Sequence, residues 1–217
     1  MSTVRPAVFV SGAVEGPVDE ALFARLLRHV GATPARVYGK RGKDFLRLRC
    51  TGYNRAAVHQ PWVILVDLDQ DYDCAPLLHR AWLPEPAGGM CFCVAVRAVE
   101  SWLLADRERV ASFLGLRARA IPENPETSPD PKRLVVELAR QSRRRDIRLD
   151  LVPRPQSGRS VGPAYTSRLI GFISSTESGW RPEVAARSSY SLNKCLDRLS
   201  QLVARQGRPA GRSRRPL

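Results

Sequence analysis

The chain has 217 residues, enough for one well-buried domain and a smaller addition but not for two full domains. Its formal net charge is +14, carried mostly by arginine, whose planar fork suits phosphate, so a polyanionic partner, DNA or RNA, is expected. Five cysteines without a Cys-x-x-Cys pair exclude a disulfide scaffold and argue against a zinc site, and no apolar run approaches the roughly 18 residues of a membrane span.

In chain order, Ala7 to Val10 is predicted as a short apolar strand broken at Ser11-Gly12. Pro17 and the acids Asp19 and Glu20 open a helix whose apolar positions Leu22, Phe23, Leu26, Leu27 and Val30 keep a helical repeat up to Gly31. Val37-Tyr38 reads as a second short strand, Gly39 to Lys43 as a basic turn, and Phe45 to Leu48 as the start of another helix. Trp62 to Val66 is short, β-branched and apolar throughout, the pattern of a strand covered on both faces. A helix over Pro76–Trp82 and a Pro/Gly loop precede a strand over Met90–Val96, in which Cys91 and Cys93 alternate as reduced thiols. A single helix is then predicted from Val99 through Asp106 to Leu114, ended by Gly115.

This alternation predicts an α/β fold with a mostly parallel sheet and helices on both faces. Residues 122 to 131 read as a proline-rich linker, followed by helices over Pro131–Ser142, Ala164–Ser174 and Pro182–Arg205. The expected organisation is a sheet core over 1–120, a helical appendage packed on it over 121–206, and a basic disordered tail over 207–217.

The apolar run at Trp62 ends abruptly in Asp67-Leu68-Asp69-Gln70-Asp71-Tyr72-Asp73. Ligands of open α/β sheets bind at the carboxyl ends of the strands, and clustered carboxylates require a cation among them. An EF-hand loop is excluded: counting from Asp67, its glycine and glutamate positions hold Tyr72 and Leu78. What remains is an Asp-x-Asp whose side chains point the same way from a pleat, so that Asp67 and Asp69 can share one metal; a solvated Asp turn is the alternative reading of the same motif. Asp19 and Glu20 also suit a helix N-terminus, but Glu15 lies in the turn before it. With the first and third strands adjacent, Glu15 overhangs the same edge as Asp67.

Glu15-Gly16-x-x-Asp19 after a first strand and Asp67-x-Asp69 after a later one resemble the Toprim fold of topoisomerases, bacterial primases and the OLD (overcoming lysogenization defect) nucleases. With Gly39-Lys40, Tyr53-Asn54-x-Ala56-Ala57 and Val99-Glu100-Ser101-Trp102-Leu103-Leu104-Ala105-Asp106, the layout over residues 7 to 205 looks like stand-alone, OLD-like Toprim proteins. The resemblance implies a Toprim-like, Rossmann-like sheet with a C-terminal helical appendage. It implies Glu15 as the Toprim glutamate, Asp67 and Asp69 as the metal pair, and Asp19 as the second acid of OLD-type enzymes. Glu100 matches an acid that those enzymes carry on a later helix, although Arg97 stands where their serine is expected. Lys40 and Lys43 are both candidates for an assisting lysine.

The function expected from this resemblance is a Mg²⁺-dependent (or Mn²⁺-dependent) nuclease acting on DNA or RNA, the effector of an anti-phage or mobile-element defence system. Carboxylate-held Mg²⁺ suits phosphodiester cleavage. Arg143, Arg144, Arg145 and Arg148 form a dense positive cluster and are the candidate phosphate contacts. The chain lacks a Gly-x-x-x-x-Gly-Lys-Ser/Thr loop, so an ABC-type ATPase would be a separate partner; a homodimer is also compatible with the reading. A cytoplasmic protein without a membrane partner is expected, no signal segment being evident. The alternative expectation is a non-catalytic nucleic-acid-binding or regulatory subunit of an ATPase-containing complex.

Overall fold

The computed structural model describes residues 7–206, so the expected basic tail lies outside the described residues. Its centre is a four-stranded sheet of β1 (Phe9–Val14), β2 (Thr33–Gly39), β3 (Trp62–Asp67) and β4 (Met90–Ala95). The order is β2-β1-β3-β4 and every pairing is parallel. Each connection between successive strands carries a helix: α1 (Pro17–His29), α2 (Lys43–Ala56) and α3 (Ala75–Trp82). The α/β class, the parallel sheet and the adjacency of the first and third strands are as expected.

Side-chain alternation divides the core. Val10, Val14, Val63, Leu65, Cys91 and Cys93 face one side of the sheet, with α1 and the later helices. Ala13, Trp62, Ile64, Val66, Phe92 and Val94 face the other, with α2 and α3. Period-two pointing along a strand explains this split, and burial of both faces explains why β3 is apolar at successive positions. The first strand runs past the expected break: Ser11 and Gly12 lie inside it. Gly12 is there because a Cβ would come within 2.6 Å of the Phe23 ring, so its absence lets α1 lie close on β1.

After β4 come α4 (Val99–Ala105) and α5 (Arg107–Leu114), where one helix was predicted. Asp106 divides them. It is fully buried, accepts from the Arg109 N–H as the N-cap of α5, and forms a two-oxygen pair with Arg181 at 2.7 and 3.0 Å. A short 3₁₀ turn at Ala118–Ala120 precedes the expected linker, and another at Pro125–Thr127 lies within it. Then follow α6 (Pro131–Arg140), α7 (Arg145–Leu151), α8 (Tyr165–Ser174), α9 (Pro182–Ala185) and α10 (Tyr190–Gln206). The last predicted helix is therefore two, because the Ser189 hydroxyl accepts from the Leu192 N–H and starts α10 afresh. The helix α7 was not predicted, although its buried Ile147 and Leu151 carry an i, i+4 spacing.

The later helices join the α1 side of the core as one continuous cluster around Trp102 and Trp180, both fully buried. Trp180 Nε1 donates to the Trp102 carbonyl at 3.0 Å, and Trp102 Nε1 donates to Ser191 Oγ at 2.7 Å. Among the described residues no helix is long and apolar enough to cross a membrane.

Candidate active site

The sheet order places a change of direction between β1 and β3: the chain leaves β1 toward β2 on one side and continues from β3 toward β4 on the other. Such a switch point opens a crevice at the carboxyl ends of the two central strands. Glu15 follows β1 directly, and Asp67 is the last residue of β3.

The acids are held there by the ends of the elements. The Asp67 backbone N–H donates to Glu15 Oε1 at 2.8 Å, and the Val99 N–H, at the start of α4, donates to Asp67 Oδ1 at 2.9 Å. Asp19 enters from the first turn of α1 and is 7 % exposed; Glu100, on the first turn of α4, is 2 % exposed. The Tyr165 hydroxyl, on α8, donates to Glu100 Oε1 at 3.1 Å. Asp19 Oδ1 and Glu100 Oε2 are buried and have no hydrogen-bond partner among the described residues. Each of Glu15, Asp67 and Glu100 thus commits one oxygen to the fold.

The electrostatics follow from crowding. Withdrawal from water pushes the Glu15 carboxyl up to about 7, with further upward pressure from Asp19. Burial, then the nearby Glu100 charge, pushes Asp19 up to about 6. Asp67 is raised well above the usual carboxylate range by burial and by Asp19, Glu100 and Glu15 around it. Burial also raises Glu100, against the pull of Lys132. The Lys132 ammonium is raised in turn, first by Glu100 and then, after the opposing effect of burial, by Asp67 and Asp19.

Asp69 is placed differently from the expectation that it shares a metal with Asp67. The strand ends at Asp67, so the pleat does not carry the same orientation two residues on. Asp69 has φ 51° and its carboxylate meets Lys43 Nζ at 2.8 Å, with Asp71 on the same ammonium at 2.7 Å. Arg97 braces this turn: its guanidinium donates to the Asp69 carbonyl at 2.8 Å, and the Asp69 N–H donates to the Arg97 carbonyl at 2.7 Å. Arg97 therefore has a structural task where a serine was expected. Ser101, one turn into α4, donates to the carbonyls of Val96 and Ala98.

Of the two candidate lysines, Lys43 belongs to the acidic turn, whereas Lys40 pairs with Glu20 at 3.1 Å on the surface. The arginine cluster lies at the far end of α6 from Lys132, about 15 Å along a ten-residue helix. Arg144 pairs with Asp146 at 2.7 Å and Arg148 donates to the Ser142 carbonyl at 2.5 Å, while Arg143 and Arg145 are exposed. Sequence reasoning missed Lys132, and it took Tyr165 for a core or base-stacking residue without connecting it to Glu100. A signal existed for the first: a cation in the opening turn of a helix opposes the helix dipole and needs another reason to be there.

Among the described residues, no three Asp, Glu, His or Cys side chains already stand in a metal-ligating arrangement. The donor set nevertheless fits Mg²⁺. It is all carboxylate oxygen, two of those oxygens are buried and unpartnered among the described residues, and the raised acids stay raised despite the charge of Lys132. Compared with known proteins, the chain matches no family model, no curated protein and no solved structure.

Proposed function

We propose that the chain is a Mg²⁺-dependent (or Mn²⁺-dependent) nuclease that hydrolyses phosphodiester bonds at the β1–β3 crevice, as the resemblance of its motifs to OLD-type Toprim proteins implies. The observation that carries this reading is the convergence of Glu15, Asp19, Asp67 and Glu100 at the switch point with two buried oxygens left unpartnered. Asp19, Asp67 and Glu100, with Glu15, are the residues to hold the ion. When bound, the ion supplies the positive charge that this reaction needs beside the phosphate.

The chain's own part is positional. The Asp67 and Val99 N–H groups fix Glu15 and Asp67 by one oxygen each and leave the other for a ligand. Tyr165 does the same for Glu100. Lys43 holds the acidic turn through Asp69, Asp71 and the Leu68 carbonyl. Lys132, exposed at the start of α6 and electrostatically coupled to the carboxylates, is suited to meet a phosphate oxygen.

The test is cleavage of labelled plasmid, single-stranded DNA and RNA in Mg²⁺, Mn²⁺ or EDTA, comparing wild type with Asp67→Ala. Metal-dependent cutting that the substitution abolishes supports the proposal. Cutting that survives Asp67→Ala with Asp69→Ala defeats this site. Salt-sensitive binding without turnover in any metal leaves the non-catalytic nucleic-acid-binding or regulatory subunit.

A further inference from the structure

Three of the five cysteines meet at one place and are unused by the proposed chemistry. Cys91 and Cys93 lie on the same face of the edge strand β4, and Cys195 comes from α10, which packs on that strand. Cys93 Sγ and Cys195 Sγ are 2.8 Å apart, while Cys91 Sγ is 3.5 Å from Cys93 Sγ. A disulfide needs a separation of about 2.05 Å, so the first pair closes with a movement of under about 1 Å. That pair is also too close for two thiolates on one tetrahedral zinc, whose sulfurs at about 2.3 Å from the metal stand well over 3 Å apart. Cys91 and Cys93 sit two apart on an extended strand, about 6.7 Å between Cα atoms, at the limit of what a disulfide spans.

We propose that Cys93 and Cys195 are a redox-active pair that forms an intramolecular disulfide between β4 and α10. The sulfurs have an approach route, because both residues border a cleft of about 860 Å³ between α3 and α10 that also receives His79, Lys194 and Arg198. With a small disulfide such as oxidised glutathione, one protein thiolate attacks a sulfur of the oxidant and displaces a first thiolate. The second protein thiolate then attacks the protein sulfur of that mixed disulfide and displaces the other. The pair loses two electrons to the oxidant, and the two protons pass to the released thiols. The hydrogen bond from Cys195, and then burial, hold the Cys93 thiol well above its usual range, so the reaction is slow at neutral pH and speeds up as pH rises. The bridge ties the last helix to the strand that runs directly into Arg97 and Glu100.

The experiment uses the full chain carrying Cys74→Ser, which removes the exposed thiol. It is incubated with excess oxidised glutathione at pH 8.5, quenched in acid, denatured, alkylated and weighed intact. Two alkylated thiols out of four are expected, with no glutathione retained. A further Cys91→Ser change preserves the bridge, and Cys195→Ser abolishes it. Four alkylated thiols after prolonged oxidation, stable glutathione adducts, or a bridge that persists in Cys195→Ser overturns the proposal.

Discussion

At the scale of single residues, the site is a set of acids whose carboxyl groups burial and mutual repulsion raise above their ordinary range. The pH dependence has a defined sign. Glu15 and Asp19 are raised in the folded state, to about 7 and about 6, above the roughly 4 of an unfolded carboxylate. Their stability contribution is therefore complete below about pH 4 and is lost as pH climbs through 6 and 7, where folding forces each buried group to ionise or to keep its proton at a cost. In EDTA, Asp19→Asn should match the wild type near pH 4 and exceed it by up to roughly 3 kcal/mol at pH 8, as read by urea denaturation across pH. A difference that is flat with pH, or of opposite sign, shows that Asp19 carries no such strain. Mg²⁺ should raise the melting temperature of the wild type more at pH 8 than at pH 5, because protonated carboxylates do not bind it. The same substitution should remove most of that gain.

Elements place these residues, and their ends matter more than their middles. The first turns of α1 and α4 carry Asp19 and Glu100 to the crevice, and the start of α8 brings Tyr165 against Glu100. Tyr165→Phe removes only the hydroxyl that fixes Glu100 Oε1. Cleavage should fall about 10-fold to 100-fold with little change in secondary structure, the usual cost of losing a group that orients a ligand. An unchanged rate across the metal series would place Tyr165 outside the mechanism. Gly12→Ala tests the α1 side. The new methyl meets the Phe23 ring, so α1 must shift or tilt, costing about 1–3 kcal/mol in stability. Cleavage should drop further than that stability loss explains, since Asp19 moves with the helix; an equal effect on both would mean that α1 merely packs. Local sequence carried part of this arrangement. The apolar run ending in Asp67, and the proline and acids opening α1 with Glu15 in the turn before it, are each legible from residues adjacent in the chain. Asp106 could not be read as a break, because the guanidinium that holds it belongs to Arg181, 75 residues away. Lys40 and Lys43 could not be separated for a similar reason: their partners, Glu20 and Asp69, are chosen by the path of the backbone through Gly39 and Gly42, both at positive φ.

For the molecule as a whole, composition announced the charge, but only the fold shows how the two ends of the chain depend on each other. The helices after residue 121 fill the same core as β1, β3 and β4, with Trp102 of α4 enclosed by the Trp180 and Ser191 regions that hydrogen-bond to it. Asp106 is neutralised by Arg181, and Glu100 receives Tyr165, so the later helices satisfy buried polar groups of the earlier part as well as covering apolar ones. Removing them exposes a large apolar face and leaves Asp106 without its partner. Both effects are unfavourable by several kcal/mol, as much as a small domain has to spare. A chain ending at residue 120 should therefore fail to fold alone: its circular dichroism should lack a cooperative thermal transition, and it should bind a hydrophobic dye. Mixing it with a separately produced fragment of residues 121–217 should restore a transition whose midpoint rises with concentration, as for any bimolecular assembly. A sharp, concentration-independent transition in the short chain by itself would show instead that the sheet and its first helices form a self-sufficient unit, and that the later helices serve the site without being needed for the fold.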